Sequence, residues 1–157
     1  MEEEKIKITL DIKKFIEFHK GRIELLKKFD DEEIPKKIIY QLSFLGIESL
    51  AKVRYHNDNP SSDIRFKSLL SPIIGNEEAE RYYKFWRCPL IHQGYITEEW
   101  TSLETWDDND ISFIEFPDIG VRSCTEYPSG SIIAIYNRLI LVIEDYFNEK
   151  NLKYIEL

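Results

Sequence analysis

Cysteine is scarce in this chain of 157 residues, which contains only Cys88 and Cys124. No CxxC pair is present, so the sequence lacks the paired thiols of a zinc site or of a thioredoxin-like redox motif. Three histidines, at positions 19, 56 and 92, form no HExxH or comparable ligand spacing. No P-loop and no GxGxxG motif occurs either. We therefore expect neither a metal site nor a bound cofactor.

Positive charge is also in deficit. The chain has 21 Lys and Arg residues against 29 Asp and Glu residues, giving a net charge of −8. A broad electrostatic grip on nucleic acid needs a basic face, so this balance argues against non-specific nucleic-acid binding over a large surface. A small cluster of arginines and lysines at a cleft stays compatible with the composition.

Long apolar runs are missing as well. The longest candidate, Ile132 to Ile143, is interrupted by Asn137 and Arg138, and no run approaches the roughly 20 residues that span a bilayer. The first residues after Met1 are three glutamates, whereas a signal peptide begins with basic residues. We expect a protein without membrane contact, located in the cytoplasm, with reduced thiols.

Helical periodicity dominates the first half of the chain. Asp11 is a suitable N-cap for a first helix, whose apolar stripe is Ile12, Ile16, His19, Ile23 and Leu26. A histidine within such a stripe is typical of the core or an interface, with its hydrogen bond satisfied. The acidic run from Asp30 and then Pro35 predict the start of a second helix that runs to about Arg54. Its broad apolar face predicts a well-buried helix with two apolar stripes. One stripe is Ile38, Leu42 and Leu45, and the other is Ile39, Leu42, Gly46, Leu50 and Val53.

Gly46 could permit a close helix crossing. The polar loop after the second helix contains His56, which we expect to be exposed to solvent. A shorter helix that ends near Pro72 is predicted next, followed by one that begins at Asn76.

The remainder combines a predicted β-hairpin with a closing helix. Alternating apolar residues predict a hairpin at roughly residues 111–125, followed by a helix that ends between Asn148 and Asn151. The last residues, 153–157, could pair as a strand with residues 6–10. The expected fold is mainly α, an up-and-down bundle of about five helices with an inserted hairpin, as one domain over residues 1–157. The stripe of the closing helix is Ile132, Tyr136, Leu139, Ile143 and Tyr146.

The segment with the clearest chemical content runs from Trp86 to Gly94 and contains Arg87 and His92. Arginine binds phosphate through two parallel hydrogen bonds, and histidine can transfer a proton near neutral pH. On an unbroken helix the two side chains would lie roughly 140° apart. Pro89 disfavours helical geometry at the residue before it, so we expect Arg87 at a helix end or bend and His92 about one turn into the next helix.

Arg87-x4-His92, within a mostly helical chain, resembles the signature of the HEPN (higher eukaryote and prokaryote nucleotide-binding) family. The run Leu90-Ile91-His92-Gln93-Gly94 is similar to the apolar-apolar-His-x-Gly ending of such domains, and the two opening helices resemble theirs. The similarity covers roughly residues 10–95 plus the closing helix. Many active members carry a polar residue, often Asn, directly after the arginine, where this chain has Cys88.

The resemblance implies a metal-independent endoribonuclease that acts as a homodimer, with a toxin or phage-defence role, an RNA substrate and a cognate antitoxin protein. His92 would act as general base on the RNA 2′-hydroxyl, and Arg87 would bind the phosphate. Arg81 and Lys84 lie at three-residue spacing before Arg87 and could add a basic strip for substrate binding. Two alternatives stay open: a non-catalytic module of the same family that binds nucleotide, RNA or protein, which Cys88 and the acidic charge favour, and an unrelated helical protein.

Overall fold

The computed structural model of the protein describes residues 7–32, 36–58, 60–87 and 128–157. Within these ranges the chain is mainly helical, as the sequence predicts, and forms a bundle with a small antiparallel sheet. The hairpin predicted at roughly residues 111–125 lies outside the described residues. The elements are β1 (Thr9–Asp11), α1 (Ile12–Asp31), α2 (Lys36–Arg54), α3 (Ser62–Ile74), α4 (Asn76–Arg81), a π-helical segment (Tyr82–Arg87), α5 (Pro128–Glu149) and β2 (Tyr154–Glu156).

Helix α5 is the centre of the bundle. It packs against α1 and α2 along its length and also contacts α3. The apolar stripe predicted for this helix is buried, apart from the half-buried Tyr146. Because three helices share one partner, removing side chains from α5 would open the core on several sides at once.

Helix α1 begins as predicted. The Asp11 carboxylate accepts a hydrogen bond from the Lys14 backbone N–H at 3.3 Å, which caps the helix. All five residues of the predicted stripe, including His19, are buried. The acidic run expected at the start of the second helix overlaps the end of the first, since Asp30 and Asp31 form the last turn of α1, and α2 is described from Lys36, directly after Pro35. Packing of Phe29 against the core holds that turn in the helix despite its unfavourable acids.

Helix α2 has the predicted end, Arg54, but only one of its two predicted stripes is buried. Ile39, Leu50 and Val53 lie in the core, whereas Ile38 and Leu45 are 40% and 45% exposed. The prediction of a helix buried on both stripes is therefore wrong for that second side. Most of the contacts that α2 makes within the described residues are with α5 and α3, and fewer are with α1.

Helix α3 continues through Pro72 to Ile74, contrary to the end predicted near Pro72. Ile73 and Ile74 pack against the core, which offsets the hydrogen bond that proline removes. The helix stops at Gly75, whose φ of 86° favours glycine.

The two ends of the described chain meet in the sheet. Strands β1 and β2 pair antiparallel, with Leu10 opposite the buried Ile155. The strand predicted near the C-terminus is thus confirmed, and its partner is residues 9–11. Helix α5 ends before Asn151, which has a φ of 55° and turns the chain into β2. Pairing of β1 with β2 therefore brings the start of α1 next to the end of α5.

Among the described residues, no helix combines the length and the apolar character needed to cross a membrane.

Gly46→Ala should destabilise the fold. A Cβ atom at position 46 would lie 2.7 Å from Tyr136 Cε2, and closer still to Tyr136 Cζ and the hydroxyl oxygen. Since Tyr136 is fully buried, it has no free space into which to move. We expect a loss of about 1–3 kcal/mol in the free energy of unfolding, as for other overpacked cores, measured by urea denaturation.

Gly21→Ala is the matched control. Gly21 lies inside α1 with no atom within 4 Å of its Cβ position, so alanine should raise stability by about 0.5–1 kcal/mol through helix propensity. Equal effects of the two substitutions would contradict the close contact at Gly46.

Candidate functional site

The helix that leads into the Arg87 motif is held by aromatic contacts. The Tyr82 ring packs edge-on against Phe44 of α2, with ring centroids 6.0 Å apart. The Tyr83 ring lies 5.6 Å from Phe66 of α3, and its hydroxyl is 3.4 Å from the Ser62 hydroxyl. These contacts fix the backbone just before the motif to two different helices.

A pair of ionic contacts adds to this anchoring. Lys67 on α3 lies 2.8 Å from the Asp63 carboxylate on its own helix and 2.6 Å from the Glu80 carboxylate on α4. Hydrogen bonds to these two carboxylates raise the pKa of Lys67, so its charge persists throughout the physiological range. The link between α3 and α4 is exposed, so we expect it to set orientation more than stability.

Arg87 lies in the π-helical segment Tyr82–Arg87. The helix end or bend predicted from Pro89 lies outside the described residues. Arg81 is the last residue of α4, and Lys84 lies within the π-helical segment with an exposed side chain. Hydrogen bonds in a π-helix run from residue i to i+5 and widen the turn. Residues three apart are therefore separated by a larger angle on a π-helix than on an α-helix, and the basic strip of Arg81, Lys84 and Arg87 stays a prediction.

The part of the motif that follows Arg87 is not among the described residues. Cys88 and His92 lie outside the described residues, so the distance between Arg87 and His92, and the roles assigned to them, stay predictions. The same holds for substrate binding by Arg81 and Lys84.

A buried polar pair lies elsewhere, between α1 and α5. His19 is 1% exposed, and its Nδ1 hydrogen-bonds the Tyr136 hydroxyl. The Phe15 and Phe18 rings contact the imidazole edge-on, with centroids 4.6 and 5.3 Å from that of His19. The prediction of a core histidine with a hydrogen bond is confirmed, although His19 Nε2 has no hydrogen-bond partner among the described residues.

Burial determines the protonation of this pair. Burial, reinforced by the nearby Arg22 guanidinium, lowers the pKa of His19 to about 4. Burial raises the pKa of Tyr136 to about 12, although the charge of Arg22 and its hydrogen bond act in the opposite direction. At neutral pH the tyrosine therefore keeps its proton and donates it to Nδ1 of a neutral imidazole. That tautomer carries its own proton on Nε2.

Sequence reasoning missed this partner for His19. Tyr136 and Gly46 both stood out in the sequence, one in an apolar stripe and the other as a site of close crossing. Their combination with His19 depends on the rotation of three helices about their axes, which periodicity does not supply to the needed accuracy. His56, expected to be exposed, is half-buried, and its Nδ1 lies 2.9 Å from the Val53 carbonyl oxygen.

A groove of about 590 Å³ runs between α1, α5 and the sheet. Its walls carry charges of both signs, including Lys13, Glu17 and an ion pair of 2.8 Å between Lys20 and Glu144. In the described part of the chain, no group of three or more His, Cys, Asp or Glu side chains is placed to hold a metal ion. The groove therefore offers charged contacts of both signs.

Comparisons of the chain with protein-family models, curated proteins and solved structures find no match.

Stability should fall on acidification because of His19. Its pKa is about 4 in the folded protein and about 6.5 when unfolded, so the unfolded chain takes up a proton first as the pH falls through this window. The resulting loss is about 2 kcal/mol between pH 7 and pH 5. Urea denaturation at the two pH values measures it.

His19→Gln provides the comparison, since glutamine can accept the tyrosine hydrogen bond but does not titrate. The difference in unfolding free energy between pH 7 and pH 5 should shrink by about 2 kcal/mol in this variant. An unchanged pH dependence would mean that His19 is not buried in its neutral form.

Proposed function

We propose that the protein is a metal-independent endoribonuclease of the HEPN type, centred on Arg87 and His92. The observation that carries the proposal is the Arg-x4-His sequence across Pro89, at a point where Arg87 is the last residue of a π-helical segment. Such segments occur often at functional sites, where they change the direction of a side chain relative to a regular helix.

The helical bundle supports the proposal because it fits the fold that the motif resembles. Tyr82 and Tyr83 anchor the π-helical segment on α2 and α3. A phosphate-binding arginine works best when its backbone is fixed in advance, because less motion is then lost on binding.

The chemistry follows from the two side chains. His92 takes the proton of an RNA 2′-hydroxyl, and the freed oxygen attacks the adjacent phosphorus. Arg87 binds the phosphate and stabilises the charge that develops in the transition state. The bond to the 5′-oxygen of the next nucleotide breaks, and that oxygen takes up a proton in exchange for the one that His92 accepted. The products are a 2′,3′-cyclic phosphate and a 5′-hydroxyl end.

The proposal includes a homodimer in which two copies of the motif face one cleft. Two arginines and two histidines would then converge, which lessens the dependence on the relative positions of Arg87 and His92 within one chain. Proposed with it are a cytoplasmic location, a role in toxicity or phage defence, and control by a cognate antitoxin protein. Arg81 and Lys84 are proposed to contribute to RNA binding.

A binding module without activity is the second candidate, favoured by Cys88 after the arginine and by the net charge of −8. It would use the same surface for a nucleotide, RNA or a protein. Binding without cleavage would distinguish it from the first candidate.

Purified protein should cut a mixed-sequence RNA in the presence of EDTA. His92→Ala should lower the rate by about 10²–10⁴-fold, the usual contribution of a general base. Arg87→Ala should lower it by about 10²–10³-fold, as for loss of a group that stabilises transition-state charge. Gel analysis gives the rates, and mass spectrometry should find 2′,3′-cyclic phosphate ends.

His56→Gln is the control, because this histidine lies away from the motif in sequence and bonds a backbone carbonyl. It should cut at the rate of the unmodified protein. Cutting that persists equally in His92→Ala would rule out this site, and RNA binding without cutting would establish the binding module instead.

A further inference from the structure

Among the described residues, helices α1 and α2 have an exposed apolar surface on one side of the bundle. Phe18 and Leu25 on α1 are 58% and 46% exposed, and Ile38 and Leu45 on α2 are similarly exposed. Large apolar side chains grouped in this way mark interaction sites more often than singly scattered ones do. We call these four residues the α1–α2 face.

The four residues lie on adjoining sides of their helices. Tyr136 spans the gap between α1 and α2, because its hydroxyl bonds His19 while its ring fills the space above Gly46. Phe18 contacts the His19 ring directly, and Leu25 follows Phe18 two turns along the same side. On α2, the half-buried Leu42 precedes Gly46 by one turn, and Ile38 and Leu45 flank Leu42 at helical spacing.

The charges around this face differ in sign from those of the whole protein. On α1, Lys14 lies one turn before Phe18, and Lys28 lies almost one turn after Leu25. Arg22 lies between Phe18 and Leu25. On α2, Lys52 follows Leu45 by two turns. Against these four cations stand two carboxylates, Glu32, which lies 4.0 Å from Lys28, and Glu48. The chain as a whole carries −8, so the excess of positive charge here is local.

The opposite flank of α1 provides a comparison within the same helix. Lysines and glutamates alternate there, at Lys13, Glu17, Lys20, Glu24 and Lys27. Lys27 pairs with Glu24 at 3.4 Å, and Lys20 pairs with Glu144 of α5. Charge on that flank is largely neutralised, whereas the cations of the α1–α2 face outnumber their carboxylates.

We propose that the α1–α2 face binds an acidic amphipathic helix of a partner protein. An apolar strip flanked by cations fits a helix with apolar residues at positions i, i+3, i+4 and i+7 and carboxylates on either side. A second copy of the chain, applied by the same face, would bring Lys14, Arg22 and Lys28 against their own counterparts, and like charges disfavour that arrangement. The proposal is independent of the ribonuclease proposal.

Aliphatic side chains also favour protein over nucleic acid at this surface. Leu25, Ile38 and Leu45 offer no ring on which a base could stack, and the Arg22 guanidinium lies against one face of the Phe18 ring, 4.9 Å from its centroid. Single-stranded RNA would therefore find one ring face for stacking at this surface, and its binding would depend mainly on charge.

The test uses two synthetic peptides of three heptads, each with leucine at the a and d positions. One carries glutamate at the remaining charged positions and the other carries lysine. The full-length protein should bind the glutamate peptide at least about tenfold more tightly than the lysine peptide in fluorescence anisotropy. The affinity should fall as salt concentration rises.

Charge reversal distinguishes the α1–α2 face from the rest of α1. Lys14→Glu with Lys28→Glu should weaken binding of the glutamate peptide by about tenfold or more. Lys13→Glu with Lys27→Glu, which makes the same change in net charge on the opposite flank, should alter it by less than about twofold. Equal loss in the two double variants would overturn the proposal, since only net charge would then matter.

The contribution of the apolar residues is tested by a double variant of the face, Phe18→Ser with Leu45→Ser. The control is a second double variant, Ile64→Ser with Leu141→Ser, at exposed apolar positions outside the face. Only the Phe18→Ser, Leu45→Ser variant should lose binding of the glutamate peptide. The circular dichroism spectra of both double variants should match that of the unmodified protein. Absence of binding by the unmodified protein, equal binding of both peptides, or tighter binding of a polyuridylate strand at this face would overturn the proposal. So would dimerisation that the Phe18→Ser, Leu45→Ser variant removes, because the occupant would then be a second copy.

Discussion

The contact of Tyr136 with Gly46 and His19 is the constraint on which the rest of the bundle depends. One side chain of α5 fills the space that the missing Cβ of Gly46 leaves on α2, and its hydroxyl bonds a histidine of α1. Three helices are thereby fixed in rotation at a single level. Rotation of any one of them would either bring a Cβ against the tyrosine ring or leave a buried hydroxyl without its acceptor, and each is costly.

The packing of the core also leaves part of the apolar surface of α1 and α2 exposed. Tyr136 contacts α1 through His19 and α2 through Gly46. Phe18 and Leu45 lie outside these contacts and are exposed, although Leu45 belongs to a stripe that the sequence predicts to be buried. An apolar face left open by the geometry of the core is the structural basis for the binding surface proposed here.

Much of the fold could be predicted from periodicity, because α1 and α5 bury the stripe that their spacing indicates and α2 buries one of its two stripes. The stripe of α1 and that of α5 are buried as expected, and the pairing of the chain ends follows from an alternating segment at each end. The errors arose where local signals compete with tertiary packing. Asp30 and Pro72 are typical of a helix boundary, yet Phe29 and Ile73 bury enough apolar surface to keep their turns helical.

The candidate site is harder to predict than the fold, because its chemistry depends on side-chain direction rather than on the presence of an element. The sequence indicates a bend at Pro89, but it gives no sign that the preceding turn is π-helical. That change moves Lys84 relative to Arg87 and so alters which cations could contact one phosphate. Tyr82 and Tyr83 are anchored on two helices, so the register of this turn is set by core packing rather than by the motif itself. The backbone conformation just before the motif is thus a consequence of residues that carry no chemistry.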